Sequence, residues 1–260
     1  MSTFNFEDLQ RCYEEKTASV ACDCSLVTEM VGGVPANEDA LRAFVTHHYK
    51  LTDPAEIEKA VARIQNEELG KTDQTPELGE LKEEQVYGVN MVRRTALGPY
   101  IGDWMIKACL KQAASRLNVF VEIRGSKGNF SEAGRVRAYG ESDIDSENPN
   151  FIYLRSPEGG AAKTYFQKFM GRVSSPQGSV SIVHTSECVA PKSRFGFEFR
   201  FLPGIGKNQV KEQDIKDVLA LAMIVGLGSV KALERGKFKI ERATINLEVK
   251  ESERKAKAAA

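Results

Sequence analysis

Residues 226–238, GLGSVKALERGKF, combine a glycine pair with Lys231, Arg235, Gly236 and Lys237. Glycines let a backbone turn sharply and approach another chain, offering N–H groups to phosphate oxygens, while the basic side chains supply charge. The competing reading is local, because a helix that hands over to a strand needs one glycine at its C-cap. Two better-known phosphate cradles are excluded. No G-x-x-x-x-G-K-[ST] is present, and these glycines close a helix where a P-loop or dinucleotide fingerprint opens one.

The elements that position this loop follow from periodicity. Upstream, Ile215, Val218, Leu219, Leu221, Ala222 and Val225 mark an amphipathic-to-buried helix. It must stop at Gly226, because glycine costs a helix interior about 1 kcal/mol relative to alanine. Downstream, Phe238, Ile240, Ala243, Ile245, Leu247 and Val249 are set among Lys239, Glu241, Arg242, Asn246 and Glu248, a mostly period-two pattern that predicts a strand with one face inward. A second stretch, 98–117 (GPYIGDWMIKACLKQAASRL), predicts a helix over 104–117 with Met105, Ile106, Cys109, Leu110, Ala113 and Leu117 inward. Lys107, Lys111 and Arg116 fall to its polar side, where such residues also serve solubility.

These two stretches carry a resemblance. The order Gly226, Gly228, Lys231, Gly236, Phe238 resembles the C-terminal glycine-rich loop of the RAMP superfamily, RNA-binding ferredoxin-like proteins that build multisubunit CRISPR effector complexes. Where that family often has a further glycine before the last one, this chain has Glu234. Residues 98–117 resemble the segment that opens the first helix in backbone-type subunits, with Pro99, Tyr100, Ile101, Ile106, Lys107 and Leu110 matching. Gly102, Asp103, Trp104 and Met105 stand where Pro-Gly-Ser-Ser is expected.

A length of 260 residues suits one or two domains with a sizeable core, and 42% hydrophobic with 28% charged residues is ordinary for a globular protein. No apolar run reaches the roughly 20 residues a membrane helix needs, and the opening MSTFNFEDLQ lacks a signal-peptide pattern, so a cytoplasmic protein without a membrane partner is expected. The 36 basic and 36 acidic residues cancel, so any nucleic-acid surface must be local. Cys12, Cys22, Cys24, Cys109 and Cys188 contain no C-x-x-C pair. Reduced cysteines are expected, with no metal and no cofactor.

Along the chain, alternation over 17–30 (Val20, Cys22, Cys24, Leu26) predicts a first strand. Asn37 and the Asp53-Pro54 pair then open two helices, through His48 and over 56–69, within an expected helical insertion at 36–97. Residues 70–84 are polar, acidic and unpatterned. Arg124, Lys127, Arg135 and Arg137 surround a glycine-containing basic turn. Residues 139–179 are rich in glycine, proline and serine. The resemblance places a projecting thumb at 118–178, in which Phe166, Phe169 and Met170 could wedge between bases while Lys163, Lys168 and Arg172 meet phosphates. The alternative is that these aromatics form a satellite core.

Strands are predicted over 179–184 and 194–202, the second with Phe195, Phe197, Phe199 and Phe201 on one face, as a core or, less readily, as a base-stacking platform. Without insertions the order is βαββαβ, an α+β, ferredoxin-like (RRM-like) core in one domain over 1–260.

Catalytic candidates are sparse. His47, His48 and His184 are the histidines available for acid–base work on a ribose hydroxyl, and Asp39 and Asp103 read as helix N-terminal acids. The expected function is a non-catalytic RNA-binding backbone subunit of antiviral CRISPR complexes that oligomerises along a single RNA strand. Its expected partners are single-stranded RNA, a guide RNA among the candidates, or single-stranded DNA, together with copies of itself and other effector subunits. The expected contacts are Lys107, Lys111, Arg124, Lys127, Lys163, Lys168, Arg172, Gly226, Gly228, Lys231, Arg235 and Gly236. The rivals are a ribonuclease of the same superfamily that processes RNA, and a stand-alone single-stranded DNA-binding protein of a mobile element.

Overall fold

The computed structural model describes residues 17–69, 89–117, 135–140, 145, 147–175, 178–201, 210–229 and 234–247. The fold is mixed α+β, with three sheets. The alternation over 17–30 becomes strand β1 (Ala18–Leu26), which buries every second residue. It lies at the centre of a four-stranded sheet in the order β12-β1-β11-β7, antiparallel throughout. Here β7 is Arg135–Ala138, β11 is Arg194–Phe201 and β12 is Phe238–Asn246.

Two helices cover one face of this sheet. The first, Asp103–Arg116, and the last, Glu212–Val225, are called α3 and α4. They pack Ile106, Cys109, Leu110, Ile215, Val218 and Ala222 into one core with the inward residues of the sheet, and Cys109 Sγ donates to the Ala222 carbonyl at 3.4 Å. The four phenylalanines of β11 are each at most 2% exposed, so they are core and not a stacking platform. Burying such a side chain contributes about 1.5–3 kcal/mol, which makes β11 the apolar spine of the molecule.

The strand pattern of β12 skips from Ile240 to Ala243, and the structure explains the skip. Asp23 pairs with Arg242 and Cys24 with Ile240, so Glu241 is the extra residue of a β-bulge. The bulge restores the inward alternation on its far side.

The expected βαββαβ order takes the 179–184 and 194–202 strands as its middle pair, and that pairing is corrected. The strand beside β11 is β7, inside residues 118–178, and not the 179–184 strand. In chain order the central sheet and its helices run β1, α3, β7, β11, α4, β12. Val136 and Ala138 turn into the core, and four residues are too few to show a period. The 179–184 stretch belongs to β10 (Gly178–Val189), which pairs over its whole length with β9 (Thr164–Ser175). At about 3.4 Å per residue this ribbon is about 40 Å long.

The base of the ribbon joins a second sheet. There β10 pairs with β2 (Met30–Val31) and with β4 (Val89–Met91), which in turn pairs with β3 (Val34–Pro35). Among the described residues, 178–184 pair only with β9.

Helices α1 (Glu38–Tyr49) and α2 (Pro54–Arg63), with the π-helical turn Ile64–Glu68 that follows, cover this second sheet through Leu41, Val45, Val61 and Ile64. Their starts follow the expected caps: Asn37 accepts from Ala40 N at 3.1 Å, and Asp53 from Ala55 N at 3.0 Å with Pro54 in the first turn. A buried ion pair, Arg94 with Glu187, ties β10 to β5 (Arg94–Thr95), and Glu187 also accepts from Val92 N at 3.0 Å. The third sheet sets β5 against β6 (Gly98–Gly102), and β6 against β8 (Phe151–Tyr153). β6 runs without a break into α3. Among the described residues no helix is long and apolar enough to cross a membrane.

Cys22, Cys24, Cys109 and Cys188 are free and buried, while Cys12 lies outside the described residues. Burial, then the neighbouring Asp23 carboxylate, pushes the Cys22 thiol up to about 12. Burial, then Glu29, raises Cys188 to about 12. Since the thiolate is the reactive form, iodoacetamide at pH 8 is expected to leave these four unmodified in the native protein. Mass spectrometry should find all four alkylated once the chain is unfolded in guanidinium.

Candidate nucleic-acid interface

The glycine loop begins where α4 ends, at Gly226, and re-enters regular structure at Phe238. Gly226, Gly228 and Gly236 all have positive φ, at 74°, 88° and 71°. A side chain at Gly236 would bring its Cβ 1.7 Å from the Leu227 carbonyl oxygen, and one at Gly228 would meet the Val31 oxygen at 2.7 Å. Leu227 N donates to Gly236 O at 2.8 Å, Gly236 N to Glu29 O at 2.8 Å, and Ser229 N to Val31 O at 3.2 Å. The close approach that the glycines permit is therefore to the protein's own backbone. The N–H groups of Gly226, Leu227, Ser229 and Gly236 are engaged in this way and are not offered to phosphate.

Glu234 occupies the left-handed region, φ 61°, a conformation that favours glycine. The position where the RAMP pattern often has glycine thus has a conformational reason for one. Thr28 holds the turn: its Oγ1 donates to Glu234 O at 3.0 Å and accepts from Lys237 N at 3.0 Å.

The expected contact residues fall into groups. Arg235 is half-buried and ion-paired with Glu29, so it braces the loop as well as charging it. Lys107 pairs with Asp103 at 3.0 Å, while Lys111 is exposed one turn further along α3. Lys163 and Lys168 are exposed at the base of the ribbon. Arg172 lies in β9 opposite Ser181, with its side chain outside the described residues. Arg124, Lys127 and Lys231 lie wholly outside them.

The expected wedge aromatics are partly accounted for. Phe169 stacks on His184 with centroids 5.7 Å apart and is buried with Val31 and Cys188, while Phe166 packs against the α1–α2 core. This is the satellite-core reading; the Met170 side chain lies outside the described residues. Tyr165, on the same strand, is exposed instead. Its phenol is raised by partial burial and then by the Glu29 carboxylate, with Arg235 opposing.

Of the acids considered for catalysis, Asp39 pairs with Arg42 and Asp103 with Lys107, each at 3.0 Å. His47 is exposed on α1, and the His48 side chain lies outside the described residues.

The two stretches singled out above, 226–238 and 98–117, meet in space. Gly228 and Ser229 from the first, and Tyr100, Trp104 and Met105 from the second, line one cleft of about 180 Å³ that is completed by Gly33, Phe44 and Arg93. Its walls are mainly apolar. Arg93 lies 5.0 Å above the Trp104 ring and donates to the Tyr49 hydroxyl at 3.1 Å. Trp104 can fold back because residue 102 is glycine: a Cβ there would lie 2.1 Å from the indole. The volume is below the roughly 300–1,000 Å³ of ordinary small-molecule sites. Tyr49, Arg93, Tyr100 and Tyr165 were not among the expected contacts: Tyr49 and Arg93 carry no motif of their own, and Tyr100 and Tyr165 fall inside the expected helix-opening and thumb stretches without standing out as contacts.

These features define an α+β protein with a four-stranded antiparallel sheet, two covering helices and a cleft beside a glycine loop. No protein-family model matches the chain, and no curated protein matches it. Among solved structures it is similar to a chain in the cryo-EM structure of the Type III-B Cmr-beta bound to cognate target RNA, at 12% identity and TM-score 0.43. That alignment covers 93% of this chain and 65% of the other, so this chain spans about two thirds of the length of its neighbour. It is also similar to Cmr6 from Pyrococcus furiosus, at 11% identity and TM-score 0.35, over 87% of this chain and 99% of that one.

The loop geometry makes two opposite stability changes testable by thermal denaturation. Gly236→Ala, with a positive φ and a blocked Cβ, should cost about 2 kcal/mol or more. Glu234→Gly should gain about 0.5–1 kcal/mol, which raises Tm by about 2 °C.

Proposed function

We propose that this protein is a non-catalytic RNA-binding subunit with a ferredoxin-like core that oligomerises along a single RNA strand, as the backbone of a CRISPR effector complex does. The observation that carries the reading is the convergence of the glycine loop, the start of α3 and residues of β2 and α1 on one cleft. Basic side chains are placed around it. Lys111 shares the exposed stripe of α3 with Trp104, seven residues or about 10 Å along the helix, and Arg235, Tyr165 and Lys163 border the base of the ribbon.

The strand order β12-β1-β11-β7 is what a ferredoxin-like βαββαβ unit produces when β7 and β11 serve as its second and third strands. On this reading, residues 36–97 and most of 118–178 are insertions into that unit, and the free half of the β9–β10 ribbon reaches across the bound strand to the next copy. A formal net charge of zero favours stacking of copies, since strongly basic subunits would repel one another. Contacts of this head-to-tail kind do not close, and so make a filament. The other partners in this proposal are further effector subunits and a guide RNA, with the cytoplasm as the compartment.

Size-exclusion chromatography with light scattering, before and after ribonuclease, tests assembly. The expected result is a large particle with a high 260/280 ratio that collapses when RNA is digested. Fluorescence anisotropy with RNA and DNA of one sequence tests the ligand. Lys111→Glu combined with Lys168→Glu should weaken RNA binding about tenfold or more and lower the salt slope by roughly two. A monomer free of nucleic acid that ignores both strands would sink the proposal.

A further inference from the structure

The cleft between the glycine loop and α3 has more chemistry than phosphate binding needs. Tyr100 lines it, is 1% exposed, and its hydroxyl has no hydrogen-bond partner among the described residues. The ring itself is fixed, stacked on Phe151 with centroids 4.1 Å apart. A buried phenol usually finds a partner, because leaving it bare costs the desolvation of a polar group. Burial pushes this phenol up to about 12, so it stays protonated and able to donate at neutral pH.

Trp104, 37% exposed, lines the same cleft with the Arg93 guanidinium over its ring, and Phe44 lines it too. An indole and a guanidinium plane are the surfaces on which unstacked bases rest. The cleft is apolar and small, and a fixed hydroxyl can donate to a base oxygen or ring nitrogen, or accept from an amino group. The feature is this chain's own: Gly102 and Trp104 stand at positions where the stretch departs from the RAMP pattern.

We infer that this cleft takes one nucleobase turned out of the bound strand, stacked against Trp104 and read by the Tyr100 hydroxyl. The inference rests on the RNA-binding reading above and adds base selection to it. Lys111, on the same stripe of α3, would then meet the phosphates that flank the turned-out base.

Trp104 is the sole tryptophan of the chain, so its fluorescence reports the cleft directly. The wild-type protein is titrated with 12-nucleotide homopolymers of adenosine, uridine and cytidine, and with inorganic polyphosphate as a base-free polyanion. Binding is followed in parallel by anisotropy of labelled oligonucleotide. The expected result is saturable quenching by the oligonucleotides, unequal between bases, and none by polyphosphate. Tyr100→Phe keeps the ring and should compress the preference between bases by about five- to tenfold, the reach of one hydrogen bond, while retaining the quench. Trp104→Leu, checked for folding by circular dichroism, should weaken oligonucleotide binding about tenfold, the scale of one base–aromatic stack.

If oligonucleotide binds by anisotropy without quenching, or polyphosphate quenches as well as RNA does, the base pocket is overturned while RNA binding stands. Quenching that grows with protein concentration in the absence of nucleic acid assigns the cleft to a second copy and also overturns it. Loss of all oligonucleotide binding in the wild-type protein overturns the parent reading. If Tyr100→Phe leaves an unequal preference intact, the hydroxyl does not read the base.

Discussion

The backbone contact between Gly236 and Leu227 is the constraint on which the rest depends. Leu227 N donates to Gly236 O at 2.8 Å, and Gly236 N donates onward to Glu29 O at 2.8 Å. These bonds close a knot of α4, β12 and the turn after β1. Ser229 extends it, its Oγ donating to Gly32 O at 2.7 Å. Since β12 and β1 belong to the central sheet and β2 to the second, this knot fixes how the two sheets meet. No residue with a Cβ fits at its centre. Arg235 is drawn into the same brace by Glu29. A loop that reads as a binding motif is therefore first a joint.

The second sheet is stabilised differently. It has few strands of any length, and its base carries the Arg94–Glu187 pair, with both side chains under 10% exposed. Desolvation makes such a pair weak evidence for stability, but removing one partner leaves a buried charge and typically costs about 3–5 kcal/mol. The pair acts as a register device: Glu187 also holds Val92 N, so β10 cannot slide against the β4–β5 corner without stranding a charge. The ribbon is then anchored at one end and free of other sheets at the other. That arrangement suits a segment that works at a distance from the core.

What could be read in the chain was whatever had a long, regular period. β1, β11, α3, α4 and β12 are five such elements, and even the β-bulge at Glu241 is visible as the skip from Ile240 to Ala243. β7 was missed because four residues carry no period, and two of them are arginines. The 179–184 strand was seen and placed with the wrong neighbour, because pairing is a non-local choice that a strand's own period does not encode: β10 pairs with β9 over its whole length and β11 with β1 and β7. The cleft was illegible for the same reason. Its walls come from β2, α1, the β4–β5 corner, β6, α3 and the glycine loop, and only two of those stretches stood out as motifs. Tyr100 and Trp104 were seen as parts of a pattern, and the unpartnered hydroxyl of Tyr100 exists only in three dimensions.

On the proposed RNA-binding reading, the other face of the central sheet is a poorer surface for a nucleic acid than the cleft. Sheets of this shape can bind RNA through aromatics on the uncovered face, but here the four phenylalanines of β11 all point under the helices. The uncovered face carries charges that satisfy one another. Arg242 pairs with Asp23 at 2.8 Å, Lys239 with Glu241 at 2.8 Å, and Arg137 and Arg200 both with Glu198. A polyanion would have to break these pairs. Beside the cleft the balance is reversed: Trp104 and Tyr165 are exposed, and Lys111, Lys163 and Lys168 are exposed along α3 and the ribbon base. In a chain of zero net charge, that local asymmetry, and not the global field, is what can steer a strand to one side of the molecule.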